Sequence, residues 1–241
     1  MSEKKFVLIY EKLKDAILSE ELTYGDRIPS EHDLVERYQA SRETVRKALN
    51  LLVGDGMIQK IRGKGSVVIY QNITEFPFAD LMSFSEVKNE LQLQYKTKVI
   101  RFEKIKADEV PFIKEQLGIK ANARLWYIVR LRMLNDKVKI IDEDYLVADI
   151  VPNITIEHAR ASIYHYIEHI LDLEISYSNK AITFEPFGDL EYEQFGDVAP
   201  PYTATVRGIV HLKNTERFQY NISKHLATEF RFNDFSRRRK L

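Results

Sequence analysis

The 241-residue chain contains no cysteine. That excludes disulfides, thiolate metal sites and cysteine nucleophiles, and it suits a reducing compartment. No apolar run approaches the roughly 20 residues of a membrane-spanning helix. The charged start Met1-Ser2-Glu3-Lys4-Lys5 is not a secretory signal. These absences predict a cytoplasmic protein with no membrane partner. Charge of one sign is missing too: 36 Lys and Arg balance 36 Asp and Glu. A nucleic-acid site would therefore have to come from local clustering. There is no internal repeat and no low-complexity segment. With 44% apolar and 30% charged residues, the chain has the composition of an ordinary globular protein of one or two domains.

What is present begins with three helical patterns. Phe6, Ile9, Tyr10, Leu13 and Ile17 recur at the spacing of a helix with one buried face. Leu22 to Asp26 breaks it. Ser30, with Asp33 three residues on, opens a second helix in the manner of a capping box, and that helix ends near Tyr38. Only Gln39-Ala40 separate it from Ser41, a cap for a third helix carrying Val45, Ala48, Leu49 and Leu52 on one face. Gly54 and Gly56 end that helix. Met57–Ile61 and Ser66–Tyr70 then flank Arg62-Gly63-Lys64-Gly65, which reads as a hairpin with a basic glycine-rich tip.

This order suits reading a duplex. Two helices across a tight turn need a basic, exposed second helix. The face opposite Val45 and Leu49 carries Arg42, Arg46 and Lys47, with Ser41, Glu43 and Thr44 in the first turn, where side chains and backbone N–H groups can approach a base edge or a phosphate. Between Arg37 and Ser66 seven basic residues stand against two acidic ones, a local charge of +5 on a neutral chain. Gly63 and Gly65 let the hairpin tip turn sharply, and Arg62 and Lys64 then reach a phosphate or the minor groove. A single basic residue on a helix usually marks only a solvated face. The conjunction of cap, two-residue turn, basic helix and basic hairpin carries the inference.

The run Pro29-Ser30-Glu31 … Ser41-Arg42-Glu43-Thr44-Val45-Arg46-Lys47-Ala48-Leu49 … Gly56-Met57-Ile58 … Gly63-Lys64-Gly65-Ser66-Val67-Val68 resembles the winged helix-turn-helix of the GntR transcription regulators. Glu43 departs from the small hydroxyl residue frequent there; it either reads cytosine or orients Arg46. The resemblance implies a homodimer on a palindromic double-stranded operator. Leu81 to Glu86, Asp144-Tyr145, Ser162 to Ile167 and Phe230-Arg231-Phe232 are similar to the effector domain of the HutC subfamily, whose fold is akin to chorismate lyase. The expected fold class is thus α+β. Residues 1–69 form a DNA-binding domain, 70–77 a linker and 78–241 an effector-binding and dimerisation domain. Ile58 to Val68, Ile175-Ser176-Tyr177 and Phe230 to Phe235 are similar to the trehalose-responsive branch of that subfamily. That narrower resemblance implies trehalose 6-phosphate as the inducer; another sugar phosphate is the alternative.

In the second half, Arg124–Leu134 and Val138–Leu146 read as strands around Asn135-Asp136-Lys137. Leu173–Phe184, Thr203–Lys213 and Phe218–Leu226 read as further strands, Glu185–Asp197 as a short acidic helix with loops, and Ser162 as the start of a helix. An antiparallel sheet with helices on one side is expected. An anion site follows from three features. Ser83-Phe84-Ser85-Glu86 reads as a capping box. Arg130 and Arg132 share a strand face and suit phosphate oxygens. Ser162 and Tyr164 begin a helix. The subfamily resemblance implies phosphate contacts for Ser83, Ser85, Arg130, Arg132, Ser162 and Tyr164. Taken alone, Ser83 and Ser162 are more often plain caps, and the arginines either face water or pair with Asp142 and Asp144 across the hairpin. Asp142, Glu143, Asp144 and Tyr145 are candidates for sugar hydroxyls, with Glu185 and Tyr220 as further ones; Trp126 reads as core. Against an enzyme on the same sheet, no Ser-His-Asp order or metal spacing stands out. His165 and His169 are four apart but lack an acidic third ligand. An architectural DNA-binding protein would leave the paired arginines unexplained. The expectation is a regulator, not an enzyme, with no cofactor or metal besides its effector.

Overall fold

The computed structural model describes residues 2–71 and 94–232. They fall into two compact units, the first within residues 1–75 and the second within 76–232.

The first unit is built around one core. Helix α1 (Ser2–Leu18) contributes Ile9, Leu13 and Ile17 at four-residue spacing. Helix α2 (Glu31–Tyr38) starts as its sequence predicts. The Ser30 Oγ accepts from the Asp33 N–H at 3.2 Å, and the Asp33 carboxylate accepts from the Ser30 N–H at 3.0 Å. Gln39 stops α2 with φ at 46°, in the left-handed region. Ser41 then caps helix α3 (Arg42–Gly54), its Oγ accepting from the Thr44 N–H at 3.1 Å. Leu34 of α2 and Val45, Ala48, Leu49 and Leu52 of α3 are fully buried on the shared core. Strands β1 (Ile58–Ile61) and β2 (Gly65–Val68) form an antiparallel hairpin, and Arg27 bridges alongside Val67. Ile58 and Val68 close the core from below α3. Of the expected linker, residues 72–77 lie outside the described residues.

The second unit is a six-stranded antiparallel sheet. Its strands are β3 (Lys96–Lys106), β4 (Arg124–Leu134), β5 (Lys137–Val147), β6 (Ile175–Pro186), β7 (Tyr202–Leu212) and β8 (Arg217–Leu226), in spatial order β3-β4-β5-β8-β7-β6. Asn135 and Asp136, at φ 51° and 58°, make the two-residue turn between β4 and β5, where both central residues need a positive φ. The remaining helices are α4 (Pro111–Leu117), α5 (Ile156–Ala161), α6 (Ile163–His165), which runs on as a π turn over Tyr166–Ile170, and α7 (Asp189–Phe195). Strand β3 and helices α4 and α5 go unread in the sequence.

Helices cover both faces of this sheet, not one. Alternation sends Ile128 and Leu146 to a first face, where α5, α6 and the π turn pack Ala159, Ile163, Tyr166 and Ile167 on them. Leu125, Tyr145 and Val147 point the other way, under Ile113 and Leu117 of α4. Val129, Leu131 and Ile141, also on the second face, meet Leu190 and Phe195 of α7. Central strands that are apolar on both sides need cover on both sides. Glu185, expected in the acidic helix, ends β6 instead.

Candidate functional site

Two sites emerge, one in each unit. In the first, the basic residues divide by whether they already have a partner. Arg46 Nε lies 2.8 Å from Glu31 Oε2, Lys47 sits 3.8 Å over the Phe6 ring, Lys60 donates to Asn50 Oδ1 at 2.8 Å, and Arg37 rests on Tyr38. The first three of these contacts brace α3 against α2, α1 and the hairpin. Lys5 adds a bond to the Gln39 carbonyl in the turn itself, at 2.9 Å. Arg42, Arg62 and Lys64 have no partner among the described residues, and neither has Glu43. Arg46 is oriented by Glu31, so Glu43 does not perform that task. Ser41 and Thr44 are tied to each other, hydroxyl to hydroxyl at 2.8 Å, which fixes the first turn of α3. Gly63 and Gly65, at φ 78° and 84°, take up the backbone strain of the hairpin tip and leave Arg62 and Lys64 exposed on either side of Gly63.

The second site lies on the first face of the sheet. Arg130 and Arg132 share that face, and the register sets Asp142 opposite Arg130 and Asp144 opposite Ile128. Arg130 places Nε and Nη2 on Asp144 Oδ2 at 3.0 and 2.6 Å, and its Nη1 is 3.5 Å from the Ala159 carbonyl in the last turn of α5. Arg132 donates from Nε to Asp142 Oδ2 and from Nη1 to Thr97 Oγ1, each at 2.8 Å. Strand β8 supplies partners that the sequence does not announce. Gln219 and Asn221 donate their side-chain amides to Asp144 Oδ1 at 2.7 and 3.0 Å, and the Ser223 hydroxyl donates to Asp142 Oδ1 at 2.7 Å. His225 follows, 3.1 Å from Ser223. One signal could have found them: polar residues at 219, 221, 223 and 225 recur at every second position, between Phe218, Tyr220 and Ile222.

All four ionised groups are buried, Asp144 completely and Arg132 to 2% exposure. Burial, then the neighbouring Arg130, pulls the Arg132 guanidinium down to about 10, against the attraction of Asp142 and Asp144. Burial also works against the charge on Asp142, yet Arg132, Arg130 and the Ser223 hydroxyl hold it below the usual carboxylate range. His225 is pushed down to about 4 by burial and is neutral near pH 7. The cluster has no net formal charge. Rather than facing water, both arginines pair with aspartates across the hairpin.

The other candidates separate. Ser162 caps α6, its Oγ accepting from the His165 N–H at 3.2 Å, three residues beyond the carbonyl that meets Arg130. Tyr164 is half-buried against the helix–sheet core. Ser83, Phe84 and Ser85 lie outside the described residues. Tyr145, Tyr220 and Glu185 lie apart from the arginine–aspartate cluster. Asp144 and Tyr145 are consecutive on a strand and therefore point to opposite faces. Tyr145 stacks on Tyr127 with ring centroids 4.6 Å apart, Tyr220 meets the edge of Phe112, and Glu185 pairs with Arg207. On that second face Lys224 bridges Glu143 and Glu191 at 2.6 and 2.5 Å. Glu143 also accepts from the Tyr127 hydroxyl. Glu143 is thereby engaged on the opposite side from Arg130. Trp126 packs against Phe102 and donates to the Val151 carbonyl. His165 and His169 stack on each other, and among the described residues no group of His, Asp and Glu is placed to hold a metal. No helix among them is long and apolar enough to cross a membrane.

Comparison with known proteins agrees with this division. Residues 7–68 match the bacterial regulatory proteins of the gntR family, and residues 90–231 match the UTRA domain. The chain is 40% identical to the HTH-type transcriptional regulator TreR of Bacillus subtilis over the whole of both chains. Among solved structures, the possible transcriptional regulator YydK of Bacillus subtilis superposes with a TM-score of 0.82 at 25% identity, over 97% of this chain and 99% of that one. The effector-binding domain of the B. subtilis trehalose repressor matches at 38% identity and a TM-score of 0.54, covering 60% of this chain and 99% of that domain. These relatives are transcription regulators, not enzymes. With a winged helix-turn-helix followed by a chorismate-lyase-like antiparallel sheet, the chain belongs to the GntR family of bacterial regulatory proteins, among those whose second domain is a UTRA domain.

Proposed function

We propose that the chain is a repressor of a trehalose-utilisation operon, released from its operator by trehalose 6-phosphate. In this reading residues 1–69 bind double-stranded DNA, residues 78–241 bind the effector and pair two copies into a homodimer, and residues 70–77 join them. Arg42, Glu43, Thr44 and Arg46 face base edges; Arg62 and Lys64 reach phosphates. Arg130, Asp144, Ser162 and Tyr164, with Ser83 and Ser85, form the effector site, and Asp142, Asn221 and Ser223 suit sugar hydroxyls. The observation that carries the ligand is the 38% identity to the effector-binding domain of a trehalose repressor across nearly all of that domain. No cofactor is required.

Calorimetry and thermal shift with trehalose 6-phosphate, glucose 6-phosphate and trehalose test it. Trehalose 6-phosphate at about 100 times its dissociation constant should add about 2.7 kcal/mol of stability, and free trehalose should add far less. No shift with any of the three would contradict the reading. A larger shift with glucose 6-phosphate would transfer the site to another sugar phosphate.

The wing gives a second test. Lys64→Ala should weaken binding to all duplexes alike and lower the slope of log K against log salt by about one unit, because a lysine at a glycine-flanked tip meets phosphate. A changed sequence preference with an unchanged slope would mean that the wing reads bases.

A further inference from the structure

The buried cluster poses a charge problem for the ligand just proposed, and the inference here rests on that proposal. Arg130 and Arg132 are each matched by a carboxylate, Asp144 and Asp142, so these four buried side chains carry no net formal charge. Strand β3 brings Thr97, and α5 brings the Ala159 carbonyl. The α5 residue His158 is stacked on Tyr166, and the α6 residue His165 is stacked on His169 at the surface. His225 of β8 is neutral. A phosphate monoester above its second pKa of about 6 is a dianion. Bringing two negative charges into a buried site of zero net charge is costly unless charge is rearranged.

The hydrogen bonds are arranged so that one arginine can move and the other cannot. Arg132 is held at both ends of its guanidinium, by Asp142 and by Thr97. Both short bonds of Arg130 go to a single oxygen, Asp144 Oδ2. Asp144 Oδ1 is held independently by two neutral amides, from Gln219 and Asn221. Asp144 therefore keeps two donors when Arg130 leaves. Gln219 Oε1 is buried with no hydrogen-bond partner, so the same side chain has an acceptor to offer a polar ligand.

We infer that phosphate enters by exchange: Arg130 passes from Asp144 Oδ2 to the phosphate oxygens, and one proton from solvent is shared between the vacated Asp144 Oδ2 and a phosphate oxygen. Two arginines, two aspartates, a dianion and the added proton leave the site at −1 rather than −2. Asp144 is then the counter-ion that sets the protonation state of the bound ligand, and Arg132 is a fixed charge behind it. Effector binding becomes proton-linked through Asp144.

The test is calorimetry of the full chain with trehalose 6-phosphate in buffers of different ionisation heat, from pH 7 to pH 8. Wild type should take up close to one proton per ligand, and its Kd should rise about tenfold over that unit. Asp144→Asn leaves Arg130 without a carboxylate. It should bind with uptake near zero, a flat Kd from pH 7 to 8, and an affinity at pH 8 about tenfold or more above wild type. Wild-type binding with no proton uptake overturns the exchange while leaving the proposed ligand standing. A pH dependence that persists in Asp144→Asn also overturns it, by assigning the proton to a histidine. No binding by wild type removes the ligand and the exchange together. Should Asp144→Asn fail to fold, absence of proton uptake by wild type still overturns the exchange.

Discussion

Arg42→Ala combined with Arg46→Ala should abolish specific operator binding while leaving the fold unchanged. Both residues lie on the exposed side of α3, opposite the buried Val45, Ala48, Leu49 and Leu52. Removing one bidentate arginine–base pair from a recognition helix costs about 1–3 kcal/mol, and removing two lowers affinity by about one to four orders of magnitude. Arg42 has no intramolecular partner among the described residues, so its truncation costs the fold nothing there. Arg46 loses its bond to Glu31, an exposed pair of the kind worth less than about 1 kcal/mol. Gel shift on a duplex selected from a random pool, alongside thermal unfolding, separates the two effects. Wild-type affinity in the double variant would remove α3 from the interface. A large drop in melting temperature would make Arg46 structural.

Arg132→Ala should have the largest effect on stability, about 3–5 kcal/mol, because it strands the Asp142 carboxylate in a buried site without its counter-ion. Arg132→Met with Asp142→Leu should restore much of the deficit, since replacing both partners by apolar groups of similar size leaves no uncompensated charge. The pH dependence gives a further check. In wild type the Asp142 pKa is depressed. Its stabilisation is therefore present above the unfolded carboxylate pKa and is lost as pH falls through the folded value. In Arg132→Ala, burial acts without the arginine and raises that pKa, so acidification toward pH 4 neutralises the stranded charge. The gap between variant and wild type should narrow as pH falls from 7 to 4. Chemical denaturation at the two pH values measures this. An equal gap at both would mean that Asp142 is not the group left exposed to the penalty. The two arginines are held differently, Arg132 by Asp142 and Thr97 and Arg130 by Asp144 Oδ2 alone at short distance; in the proposed exchange it is Arg130 that meets the ligand.

The first unit is legible in the sequence because its signals are local. Ser30 and Ser41 cap helices within three residues of themselves, and Gly63 and Gly65 set a turn by their own φ. The cluster of charge between Arg37 and Ser66 needs no tertiary knowledge. The partners of Arg46 and Lys47 are on other helices, so their bracing role is hidden. In the second unit runs rich in β-branched and aromatic residues, bounded by turns, mark five of the six strands. Strand β3 escapes because its lysines and Arg101 mask the pattern of an edge strand, for which charge guards against unwanted pairing. The site is half visible. Arg130 and Arg132 follow from a period of two, and Asp142 and Asp144 stand out as partners across the hairpin. What chain order does not show is that β8, some 75 residues on, lies beside β5 and lends Gln219, Asn221 and Ser223 to the two aspartates. The same alternation that places the two arginines on one face puts Tyr145 and Tyr220 on the other face from Asp144.

Fluorescence anisotropy of the operator duplex with wild-type protein, titrated in parallel with trehalose 6-phosphate and with trehalose, tests induction most directly. Trehalose 6-phosphate should release the duplex, with a fall in operator affinity of about 5–150-fold, the usual span of allosteric coupling. Trehalose at the same concentration should release nothing. Arg130→Ala should stay on the operator whichever sugar is added. Equal release by both sugars, or release of Arg130→Ala by trehalose 6-phosphate, would contradict a repressor induced through a phosphate held by Arg130.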